Sequence, residues 1–121
     1  MIQANELRIG NYIKYQDNLN FIVELEDFSD LYLGEDDIED YHPILITQQR
    51  LIDLGFEDIG TYEYQINDDL IMENEYTDKG SWNFFYDNIH LTEIKHIHQL
   101  QNLYFAITGK ELIKQKPASI R

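Results

Sequence analysis

A chain of 121 residues with 43% apolar and 13% aromatic side chains is long enough to bury one core. It is also too apolar to be a disordered acidic tail, despite a net charge of −14. There is no cysteine, which excludes disulfides, thiolate metal sites and cysteine nucleophiles together and suits a cytoplasmic setting.

No secretory signal is expected, because Glu6 and Arg8 interrupt the region where its apolar core would lie. The longest stretch without Lys, Arg, Asp or Glu, His96 to Gly109, contains His98, Gln99, Gln101 and Asn102 and is too short to span a bilayer. A soluble protein is expected. Its charge is uneven: residues 15–94 carry a net −19 and residues 95–121 a net +4. Such a field repels nucleic acid and anionic membranes and attracts a basic protein.

The first third reads as short strands. Leu7, Ile9 and Ile13 bracket the turn-prone Gly10-Asn11, which leads into a strand over Tyr12–Tyr15. Gln16 to Asn20 reads as a polar turn, Phe21 to Asp27 alternates as a second strand, and Leu31–Leu33 is a third, closed by Gly34. This opening suggests an SH3-like arrangement. Glu35 to Asp40 places five carboxylates in six residues, a density that favours an extended, solvated loop. It lacks the ligand spacing of a calcium loop. Glu35, Asp36, Asp37, Glu39 and Asp40 are therefore candidate partner-binding residues.

Beyond His42-Pro43, Ile44–Ile46 reads as a buried strand or a hydrophobic staple. Thr47 is placed to cap a short helix, Gln48–Leu54, whose Leu51, Ile52 and Leu54 face the core, with Gly55 ending it and Phe56 packing back. Thr61 to Leu91 reads as a three-stranded meander with turns at Asn67–Asp69 and Asp78–Gly80. Tyr62, Tyr64, Trp82, Phe84 and Tyr86 form an aromatic stripe, expected as core because stacking on nucleic acid needs flanking cations and only Lys79 is near. Leu70, Met72 and Tyr76 share that face. Ile97, Leu100, Leu103, Tyr104 and Ile107 recur at helical spacing, so a C-terminal helix from His96 to Thr108 is predicted to cover the meander, with Gly109 as its stop and Leu112 folding back. One α+β domain over residues 1–114 is expected, with 115–121 a flexible tail.

Motifs for catalysis are sparse. No serine sits in a nucleophile elbow, and neither phosphate-cradling glycine loop occurs. His90, His96 and His98 lie close in sequence with Asp87 and Glu93 nearby, but positions two apart on a helix point away from each other, which favours ordinary histidines over a metal site.

NELRIGNYI (Asn5–Ile13), PILITQQRLIDLGF (Pro43–Phe56) and HQLQNLYFAITGKEL (His98–Leu112) together resemble an uncharacterised family of short bacterial and bacteriophage proteins of Bacteroidota genomes and prophages. Ile46 stands where that family usually has Leu. The resemblance implies a cytoplasmic protein carried by a phage or mobile element, and it transfers no catalytic residue. Packing explains Leu100, Leu103, Tyr104 and Ile107. Gln99, Gln101 and Asn102 have no packing role derivable from pattern; they either bond exposed strand edges and loops or contact a partner. The leading expectation is a non-enzymatic acidic interaction protein without cofactor that binds a basic protein surface as a nucleic-acid mimic. A metal-dependent enzyme using His90, His96 and His98, or an assembly subunit, are the alternatives.

Overall fold

The computed structural model describes residues 2, 6–34, 37–60, 62–74 and 80–115. It is α+β, with two antiparallel sheets of three and five strands and a C-terminal helix. The chain forms two compact units: residues 1–45 with 96–111, and residues 46–95 with 112–121.

In the first unit, β1 (Tyr12–Tyr15) is central, flanked by β2 (Asn18–Ile22) and β3 (Tyr41–His42). The expected polar turn shortens to Gln16-Asp17, since Tyr15 already pairs with Asn18 and Gln16 takes a positive φ of 52°. The expected strands over 21–27 and 31–33 are replaced, beyond Ile22, by α1 (Leu25–Leu33). The reason is a capping box: the Glu24 side chain accepts from the backbone N–H of Asp27, and Asp27 accepts from the Glu24 N–H at 2.7 Å. Gly34, in the left-handed region at φ 79°, then closes the helix instead of a strand. The SH3-like reading thus holds only through the first hairpin. Ile2, Leu7, Ile13, Val23 and Tyr41 form the core, with Tyr15, Phe21, Phe28, Leu31 and Ile38 packed on it.

Helix α3 (Ile97–Thr108) also belongs to the first unit and packs on β1. Gly109, at φ 74°, supplies the left-handed stop that its position promised. The buried face of α3 comprises Ile97, His98, Leu100, Gln101 and Tyr104, so two polar side chains share a stripe read as wholly apolar.

The second unit begins with α2 (Gln48–Asp53), capped by Thr47, whose hydroxyl accepts from the Arg50 N–H at 3.2 Å. Leu51, Leu54 and Phe56 are buried as expected, whereas Ile52 is 46% exposed, being turned about 100° from Leu51 on a six-residue helix. The meander has five strands, ordered β4 (Glu57–Gly60), β5 (Glu63–Ile66), β6 (Leu70–Glu73), β7 (Trp82–Tyr86) and β8 (Ile89–Ile94). Tyr64, Leu70, Met72, Trp82, Phe84 and Ile94 are buried, so three rings of the stripe are core, and Tyr86 is half-buried. Tyr62 leaves it: at φ 62° beside the β4–β5 register shift it is exposed. Tyr76 and most of the turn at 78–80 lie outside the described residues. Gln115, assigned to the tail, donates its backbone N–H to the Asp53 carbonyl at 2.8 Å; residues 116–121 lie outside the described residues.

Candidate interaction surface

Two sets of sequence candidates separate cleanly in the structure. Gln99, Gln101 and Asn102 turn inward. Gln99 accepts from the His96 N–H at 3.1 Å and completes the capping box of α3. Gln101 is fully buried. Its Oε1 accepts from the Tyr12 N–H at 2.8 Å and from Asn11 Nδ2 at 3.4 Å, while its Nε2 donates to the Gly10 carbonyl at 3.1 Å. Asn102 Oδ1 accepts from Arg8 Nε at 2.8 Å and Asn11 Nδ2 at 2.9 Å, and Asn102 Nδ2 donates to the Glu6 carbonyl at 2.9 Å. Arg8 also forks onto Glu111 at 3.0 and 3.3 Å and lies 4.5 Å over the Phe105 ring. These side chains clasp the turn before β1 to α3. Gly10 makes this feasible, because its φ of 98° turns its carbonyl toward Gln101 at little steric cost. Of the two roles expected for Gln101, the structure displays bonding to a loop and strand: its buried amide joins Gly10, Asn11 and Tyr12.

Two of the three histidines meet, and the third stands apart. His90 sits on β8 with Nε2 3.1 Å from Asn83 Oδ1 and its ring against Phe85. His96 caps α3, and its ring stacks on that of His98 at 5.8 Å. His98 is buried, with Nε2 3.2 Å from Glu6 Oε1 and Nδ1 unpartnered among the described residues. Burial holds its pKa below the ordinary 6.5, the Glu6 carboxylate acting in the opposite direction. Among the described residues no three His, Cys, Asp or Glu gather as a metal site.

Among the described acidic candidates, Asp37 and Glu39 turn outward. Asp37 accepts from the Glu39 N–H at 3.0 Å and starts a 3-10 turn over Ile38–Asp40, so this part of the run is a tight turn and not an extended loop. Short side-chain carboxylates bond local backbone readily, which outweighs mutual repulsion here. Asp37 and Glu39 are exposed and Asp40 half-buried; Glu35 and Asp36 lie outside the described residues. From Tyr15 to Gln49 the sequence has ten acids and no Lys or Arg.

Within that stretch, the end of α1 is unusual. Tyr32 is 89% exposed and Leu33 64% exposed, with Asp30 beside them and no base in the last turn. Carboxylates near the negative end of a helix add to its dipole and favour a cation arriving from outside. Pattern reading missed this pair because it placed Leu31–Leu33 in a strand; on a helix, Leu31 turns to the core and Tyr32 to water.

No family model, curated protein or solved structure matches the chain. Among the described residues no helix is long and apolar enough to cross a membrane.

Proposed function

We propose that the protein is a non-enzymatic interaction module whose first unit binds a basic surface of a partner protein. The observation that carries this reading is the end of α1, where two large apolar side chains project from a stretch with ten acids and no cation. Burying a Tyr and a Leu in a partner contributes apolar area, and the surrounding carboxylates select a cationic rim and speed encounter. Asp37, Glu39 and Asp40, with Glu35 and Asp36 before them, extend the acidic field. A cytoplasmic, phage-borne accessory factor that occupies a host protein's nucleic-acid site suits this chemistry, because spaced carboxylates present charge as phosphates do.

Capture from bacterial lysate tests it, with the native protein compared against an Asp30→Lys/Tyr32→Ala/Leu33→Ala variant. The expected result is a basic protein retained by the native chain at about 50 mM salt, released at a few hundred millimolar, and absent from the variant. If the same proteins bind both chains, or none basic binds the native one, the reading fails.

A further inference from the structure

The five-stranded sheet buries one face, and its other face bears two rows of side chains in direct cross-strand register. The first row is Glu63, Glu73, Asn83 and Glu93, on β5, β6, β7 and β8. The second is Gln65, Ile71, Phe85 and His90 on the same strands, with Glu57 of β4 paired to Gln65. The buried Tyr64, Met72 and Phe84 pair with one another at the intervening positions, so both rows point away from the core. The register shift at Phe84/Phe85 keeps His90 and Glu93 on this one face, as the His90 contacts to Asn83 and Phe85 confirm.

Glu63 directly opposite Glu73 is a like-charge cross-strand pair, which destabilises a sheet. None of Glu63, Glu73 and Glu93 has a cationic partner among the described residues. A like-charge pair with no described cation beside it, flanked by half-exposed Ile71 and Phe85, is a poor arrangement for stability alone, and a good one for receiving a cation-bearing apolar surface.

We propose that this sheet face is a second docking surface, separate from the α1 end, and that its occupant is an amphipathic helix of a partner protein lying across the strands. The spacing supports that occupant. Three strand intervals separate Glu63 from Glu93, about 14 Å, with Glu73 about 5 Å along. Helix positions i, i+4 and i+11 lie on one flank at rises of about 0, 6 and 16 Å, within reach of lysine or arginine side chains. The second row lies about 7 Å away, where the apolar flank of such a helix would meet Ile71 and Phe85.

The test uses a synthetic amphipathic peptide with lysines at i, i+4 and i+11 beside a leucine stripe, and a scrambled peptide of the same composition. Amide chemical shifts of the full chain are followed during titration. The expected result is shifts concentrated on residues 63–73 and 83–93, and at least tenfold weaker binding of the scrambled peptide. Glu73→Lys separates binding from folding: it places a lysine opposite Glu63, so Tm rises while peptide affinity falls at least fivefold. Shifts concentrated on residues 24–42 would assign the peptide to the α1 end and overturn this site. Equal binding of both peptides, unchanged affinity in Glu73→Lys, or no shifts at all would overturn it too.

Discussion

Gln101 shows how a single amide can hold a unit together. It satisfies a backbone donor at Tyr12, a backbone acceptor at Gly10 and the Asn11 side chain. Truncation would take this partner from the buried Tyr12 N–H, at about 1–3 kcal/mol, and from the part-buried Gly10 carbonyl, and would leave a cavity. Gln101→Ala is therefore expected to cost about 3–4 kcal/mol in urea unfolding, against about 1 kcal/mol for Gln99→Ala, which removes half of a capping box. Equal losses for the two would contradict the clasp. His98 makes the second residue-scale prediction. With its folded pKa below the unfolded 6.5, the neutral ring is the form that folding favours, so its contribution is complete above pH 6.5. It is then lost as pH falls below 6.5 toward the lowered value. Between pH 7.5 and 5, Tm should drop more for the native chain than for His98→Asn; parallel curves would show that the buried ring does not titrate in this window.

At the scale of elements, what was legible is what is coded locally. Thr47, Gly55 and Gly109 mark helix ends that the structure reproduces, because caps depend on residues within one turn. The α1 helix was coded locally as well, in Glu24, Asp27 and Gly34, but Phe21, Val23 and Leu25 alternate over a span too short to tell a strand from a helix entry. Strand β8 had a comparable signal: Asp87-Asn88 joins Tyr86 to Ile89, and both turn residues take the positive φ of a two-residue hairpin. Strand β4 had none, since Glu57, Asp58, Ile59 and Gly60 are all exposed and no face is apolar. The clasp was beyond any local pattern. Gln101 and Asn102 meet residues about ninety positions earlier, so only the folded chain brings these segments together. The outer sheet face was equally hidden, because its rows exist only once the register of four strands is fixed.

For the whole molecule the deciding quantity is charge. The first unit carries twelve acids against three Lys and Arg, and the second eleven against six, so both repel themselves. Screening weakens favourable pairs such as Arg8–Glu111 but relieves many more repulsions, among them Glu63 against Glu73. The apolar cores are nearly indifferent to sodium chloride at these concentrations. Raising it from about 20 mM to 0.5 M should therefore stabilise the free protein by about 1 kcal/mol, or roughly 3–6 °C in Tm. Association with a basic partner must move the opposite way, since the attraction that drives it is screened by the same ions. Opposite signs of the two salt dependences, read by calorimetry on the free chain and by binding on the complex, are what an acidic docking surface requires. A Tm that falls with salt would mean that attractive pairs dominate the charge distribution, and the carboxylates would then be partnered within the fold, not held ready for another protein.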